Sequence, residues 1–195
     1  MKIVCNNLVK AINDMKAFLA IATANLTDDN GEAFALSVKQ MPFNNEGFAC
    51  EIEYQKKRSI YTPVFKELRF RYDRSLKNSP YYSDEFTRFV HKERSYARGF
   101  SSITLCLLHE VGHYQTVKQF FYENPKYSRG AKILEIHCYA RLQGNPQEEA
   151  NRLYQQLPDE KMATEWALDW LADPEHRKIA KAFERKFFAN YEKRA

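Results

Sequence analysis

Leu105-Cys106-Leu107-Leu108-His109-Glu110-Val111-Gly112-His113-Tyr114 is the stretch on which the reading of this chain turns. Its leucines and valine predict a buried helix. Ser101 or Ser102 can cap its start, and Asn124-Pro125 stops it just after Tyr122. Residues four apart on a helix share a face, so His109 and His113 point the same way. Two histidines and a glutamate are costly to bury without partners. A metal ion answers that cost: zinc suits two neutral imidazoles plus a carboxylate, with water in the remaining open position. Glu110 stands next to the first histidine, within reach of that water, and is the candidate general base.

The third ligand must come from elsewhere. Thr116 and Gln119 stand where a metzincin would have glycine and histidine, which excludes that arrangement. Downstream, Glu165-Trp166-Ala167-Leu168-Asp169 lies in a predicted helix and sets two carboxylates at i and i+4. One can bind metal while the other accepts a proton from a ligand imidazole. Glu135 and His137 compete for the ligand position, and His176 is a more distant candidate.

Upstream of the motif the apolar pattern has a period of two. Phe34, Leu36 and Val38 alternate with Ala35, Ser37 and Lys39; Phe48, Cys50, Ile52 and Tyr54 alternate with Ala49, Glu51 and Glu53. The turn-rich segment Pro42 to Gly47 separates them, which predicts an antiparallel hairpin. Leu68, Phe70 and Tyr72 make a third run, completing a small antiparallel three-stranded sheet. Before it, Leu8, Ile12, Met15, Leu19 and Ala22 recur at helical spacing, and Asp28-Asp29-Asn30-Gly31 marks a turn. After the motif helix, further helices fit 131–142, 147–156 and 159–172. A last one begins at Asp173-Pro174 and places Ile179, Phe183, Phe187 and Tyr191 on one stripe. The expected fold class is α+β: the sheet, then a helix-rich C-terminal half that carries the zinc site, in one domain over residues 1–195.

Composition agrees with a single globular domain. The 195 residues suffice for one sizeable core, and 44% hydrophobic with 28% charged residues excludes wholesale disorder. The formal charge is +5, with basic clusters at Gln55-Lys56-Lys57-Arg58 and at Arg69, Arg71 and Arg74. Acidic residues interspersed among them argue for solvated faces rather than a nucleic-acid footprint. Cys5, Cys50, Cys106 and Cys138 show no CxxC spacing and read as free thiols in a reducing compartment. The apolar run Ala17 to Ala24 is too short to span a bilayer and lacks the order of a signal peptide. A cytoplasmic protein without a membrane partner is expected.

His109-Glu110-x-x-His113 followed by Glu165-x-x-x-Asp169 resembles the gluzincin zinc peptidases. The compact size, and the short sheet before the motif helix, resemble the minigluzincins and the ImmA/IrrE-like peptidases in particular. In the latter the ligand helix tends to read Glu-x-x-Ala-Asp/Asn-x-Phe-Ala. Here it reads Glu165-Trp-Ala-Leu168-Asp169-Trp170-Leu171-Ala172, which departs at Leu168 and Leu171. The resemblance implies that His109, His113 and Glu165 ligate Zn2+, that Glu110 is the catalytic base and that Asp169 orients His109. It also implies a peptide or protein substrate, a Tyr or His that stabilises the oxyanion (His176, Tyr139 and His137 are candidates), and a sheet edge that aligns the substrate. Leu68 to Tyr72 is the candidate edge. Two rival readings are non-enzymatic: a closed structural zinc site with a fourth ligand from Cys106, Cys138 or His137, or a regulatory, nucleic-acid-associated protein that keeps a zincin fold.

Overall fold

Around a central helix the chain assembles one three-stranded sheet and a set of supporting helices. The computed structural model describes residues 2–28, 30–41, 48–57, 60–72 and 84–192. The expected turn residue Asp29, the Pro42 to Gly47 loop, and Arg58 and Arg74 of the basic clusters lie outside them. The elements in chain order are α1 (Lys2–Ala22), β1 (Ala35–Gln40), β2 (Phe48–Lys57), β3 (Ile60–Tyr72), α2 (Asp84–Glu93), a 3-10 turn (Ser95–Gly99), α3 (Ser102–Glu123), α4 (Arg129–Ala140), α5 (Pro146–Tyr154), α6 (Pro158–Ala172) and α7 (Pro174–Glu192). This is the α+β architecture expected. Among the described residues, no helix is long and apolar enough to cross a membrane.

The sheet is mixed rather than antiparallel. Its order is β1-β3-β2, with β1 parallel and β2 antiparallel to β3. The expected hairpin between β1 and β2 is therefore absent from the ladder, because β3 lies between them. Alternation records which face of a strand is buried and carries no information about its neighbour. The same topology moves the edge: Leu68 to Tyr72 is central, and among the described residues β2 has a strand on one side only. Strand β3 also begins at Ile60 rather than Leu68, in a stretch whose Pro63 donates nothing to the ladder.

Helix α3 is apolar on nearly every side, the mark of a helix enclosed by other elements. Ile103, Leu105, Leu107, Leu108, Val111, Tyr114, Val117 and Phe120 are all buried. One face takes Leu68 and Phe70 of the sheet into the same core. Two bonds fix its register on β2. The Tyr114 hydroxyl lies 2.7 Å from Arg69 N and 2.7 Å from the carbonyls of Glu51 and Arg69. It thus fills the break where the β2–β3 register shifts between Glu51 and Glu53. One turn away, Glu110 Oε2 accepts the Cys50 backbone N–H at 2.8 Å.

Helix α2 has no counterpart in the sequence reading. Among its described side chains Phe86 and Val90 are buried, in a segment otherwise rich in charge. The outer pair α1 and α7 matches expectation more closely. Phe18 stacks on Phe183 at 4.5 Å, and Ala180, Phe183, Phe187 and Tyr191 form the buried stripe. Asp173 caps α7 by accepting the Glu175 N–H at 2.7 Å.

Helices α3 and α6 meet backbone to backbone at Gly112. A Cβ added there would lie 2.3 Å from the Ala163 carbonyl oxygen and 2.8 Å from its Cα. Backbone cannot turn aside as a side chain does. Gly112→Ala gains roughly 1 kcal/mol of helix propensity, but forcing the two backbones apart costs at least about 1–3 kcal/mol. The expected result is a lower melting temperature and weaker metal binding in the same variant. Thermal unfolding and zinc titration measure both, and a stabilised variant would show that the helices are not held this close.

Candidate metal centre

The close approach at Gly112 brings the first turn of α6 onto the His-Glu-x-x-His face. His109, His113 and Glu160 offer ligand atoms that all lie within 4.8 Å of one another. His109 Nε2 is 3.0 Å from Glu160 Oε2, and His113 Nε2 is 3.6 Å from Glu160 Oε1. A tetrahedral ion with ligands at about 2.0–2.1 Å needs donors about 3.3 Å apart, close to the separation of His109 Nε2 and Glu160 Oε2. The group is buried and could hold a metal ion. Its donor set, two imidazoles and one carboxylate, suits zinc.

Glu165 is not part of this group. Its side chain is 57% exposed and its carboxylate lies 3.8 Å from Lys161 Nζ. Asp169 is exposed as well. The reason is helical phase. Glu160, Ala163, Thr164, Ala167, Leu168 and Leu171 form the buried stripe of α6, and Glu165 and Asp169 fall outside it. In place of the expected Asp169, the Thr164 hydroxyl lies 3.0 Å from His109 Nδ1. A neutral ring that gives its Nδ1 proton to that hydroxyl has its Nε2 lone pair available to an ion, in place of the Nε2–H that hydrogen-bonds Glu160 when no ion is bound. The Phe86 ring, 5.0 Å away edge to face, closes the other side of His109.

The remaining candidates fall elsewhere. Glu135 is paired with Lys132 at 2.8 Å on the exposed face of α4. His137, Cys138 and Tyr139 are exposed on the same helix. His176 stacks on Trp170 at 4.2 Å and lies 2.9 Å from its carbonyl. Cys50, Cys106 and Cys138 are free thiols. Burial and the nearby Glu110 charge hold the Cys106 thiol well above its ordinary range, so it stays protonated beside the site.

Electrostatics favour a cation here. Burial disfavours ionisation of Glu160, but hydrogen bonds and charge from His109 and His113 outweigh it and hold the carboxyl well below its usual range. Burial likewise opposes a charge on His113, yet the Glu160 hydrogen bond and the Glu110 and Glu160 charges raise its pKa above the ordinary 6.5. A histidine with a raised folded value contributes stability that is complete below its unfolded value and is lost as pH rises through the folded one. Zinc works in the opposite direction, because it binds the neutral ring. The melting-temperature gain on adding zinc to chelator-treated protein is therefore expected to grow as pH rises from about 6.5. Paired melting curves across neutral pH measure it, and a pH-independent gain would show that His113 does not bind the ion.

A cleft of about 1040 Å³ opens over this group. Residues Phe48 to Tyr54 of β2 line one side. His109, Glu110, His113, Val117, Phe120 and Phe121 of α3 line another, and Arg129, Tyr154, Asp159 and Glu160 line the far wall. The Gln155 Oε1 atom in that wall is buried without a hydrogen-bond partner among the described residues. Compared with protein-family models, curated proteins and solved structures, the chain finds no match.

Proposed function

We propose that this chain is a zinc-dependent peptidase of the gluzincin kind, with His109, His113 and Glu160 as ligands and Glu110 as the base. The observation that carries the reading is the buried His-His-Glu group on the cleft floor, with Glu110 in the same cleft. Bound zinc supplies a Lewis acid that polarises the scissile carbonyl and lowers the pKa of a water toward about 7. Glu110 takes the proton of the attacking water and passes it to the departing nitrogen. The Cys50 N–H holds one oxygen of that carboxylate and leaves the other for the proton. The free edge of β2 offers backbone groups to which an extended peptide adds as a further strand. Gln155 Oε1 provides an acceptor for a donor such as a peptide N–H.

One observation favours a second reading. Arg129 is ion-paired with Glu160 and Asp159, so the cluster satisfies its charges as a buried network that ties helices together. A non-catalytic zinc or ion-pair site is the function class that follows. Two measurements separate the readings. Elemental analysis is expected to find about one zinc per chain. Incubation with a complex peptide library, read by mass spectrometry, is expected to yield new termini that a chelator prevents. Zinc without cleavage favours the non-catalytic site; no zinc after supply at neutral pH sinks the metal altogether.

A further inference from the structure

Arg129 sits at the start of α4, in the far wall of the cleft. Its Nη2 donates to Glu160 Oε1 and to the Tyr154 hydroxyl, and its Nη1 donates to Asp159 Oδ2. We propose that Arg129 is the positioning residue for the third metal ligand: by holding Oε1 of Glu160 it keeps Oε2 turned to His109. The proposal rests on the reading that His109, His113 and Glu160 hold a metal.

Three observations support it. First, the Glu160 side chain is 3% exposed, so water cannot satisfy its second oxygen once the first is given to an ion. Nη2 of the guanidinium donates to that oxygen while Nη1 is held by Asp159, and such a partner restrains the carboxylate, as outer partners of metal ligands commonly do. Second, the arginine brings no net positive field. Adjacent carboxylates at Asp159 and Glu160 face the one guanidinium, and both bonds come from it. A cation faced by Glu160 alone would oppose a divalent ion, whereas one shared with Asp159 does not. Third, the arginine is itself held. Tyr127 donates to Asp159 Oδ1 at 2.8 Å, and the Tyr154 ring lies 5.5 Å from the guanidinium carbon.

The opposite possibility is that Arg129 competes with the ion for Glu160, and the test separates the two by sign. Zinc affinity would be measured by competition with a chromophoric chelator for the unaltered chain, R129M, R129K and R152M. Visible spectra would be recorded with cobalt in place of zinc. R129M is expected to weaken zinc about 10–100-fold, the usual size for an outer partner, and to change the cobalt spectrum. R129K should restore part of the affinity, since lysine supplies a point charge but not the fork that spans both carboxylates. R152M removes the exposed Arg152–Glu149 pair on α5 and should change nothing, which separates ligand positioning from general loosening of α4 and α5. R129M with unchanged or tighter zinc and an unchanged cobalt spectrum overturns the proposal while leaving the metal site standing. If R129M fails to fold, R129K decides: equal affinity and an identical spectrum to the unaltered chain overturn it. If the unaltered chain binds neither zinc nor cobalt, the metal reading itself falls.

Discussion

Glu160→Gln is expected to lose zinc at concentrations that saturate the unaltered chain, while Glu165→Ala binds as before. The contrast follows from burial and distance. Glu160 is within 3.0 Å of His109 Nε2 and 3.6 Å of His113 Nε2, on the buried stripe of α6. Glu165 is solvated beside Lys161. Glutamine keeps the volume of glutamate, so no cavity opens, but it removes the negative charge that zinc requires of its carboxylate ligand. Outer partners of a metal ligand are worth about 10–100-fold in affinity, and a direct ligand should exceed that. Lys161–Glu165 is an exposed i,i+4 pair of the kind that contributes little to stability. Zinc titration of both variants, with thermal unfolding as a check on folding, gives the answer. Loss of zinc in Glu165→Ala with retention in Glu160→Gln would show that α6 is rotated from the position described.

The second large effect is expected in Glu110→Gln, which should keep its fold and its zinc while losing peptide hydrolysis. Glu110 contributes no ligand atom to the metal group, so the substitution leaves all three candidate ligands in place. Its contact with the Cys50 N–H survives, because the glutamine side-chain carbonyl accepts the same bond. What glutamine cannot do is carry a proton from water to the departing nitrogen. Loss of one positioned acid–base group typically costs about 10²–10⁴-fold in rate. The comparison needs a substrate first identified with the unaltered chain, and equal zinc content in both proteins. A Glu110→Gln protein that holds zinc and cleaves at the normal rate would remove Glu110 from the chemistry and the gluzincin mechanism with it.

Much of the architecture was legible because it depends on local period. The alternating runs became strands, and the helices after Ser101 appear within a few residues of their expected limits. The two histidines of the group that could hold a metal were legible for the same reason, since their i,i+4 spacing is a property of one helix. The carboxylate that completes the group was not. Glu160 follows Pro158 and Asp159 at a helix start, where acidic residues commonly serve the helix dipole and so draw no notice. Glu165 and Asp169 formed the more conspicuous motif. The signal that could have decided between them is phase. Ala163, Thr164, Ala167, Leu168 and Leu171 mark the inward face of α6, and Glu160 continues that face by three and four residues. Gly112 was a second such signal. Mid-helix glycine is unfavourable by roughly 1 kcal/mol, and its presence marks where another backbone must approach. The strand order depends on long-range pairing that no local period records.

The Glu184 carboxylate on α7 has a bearing on where this domain can be divided. Its Oε1 accepts from Ser101 N at 2.6 Å, Ser101 Oγ at 2.7 Å and Thr104 Oγ1 at 2.8 Å, so it closes the N-terminus of α3 from about eighty residues away. The Ser101 side chain makes no capping bond of its own to the helix backbone. A chain ended at Asp173 would retain every candidate ligand and the candidate base, and both motifs would stand in it unbroken. It would nevertheless lose the acceptor for three donors at the head of α3, together with the Phe183 and Phe187 stack that covers α1. The smallest self-sufficient unit is thus set by a carboxylate with no part in the chemistry, and it extends past the last recognisable motif to include α7.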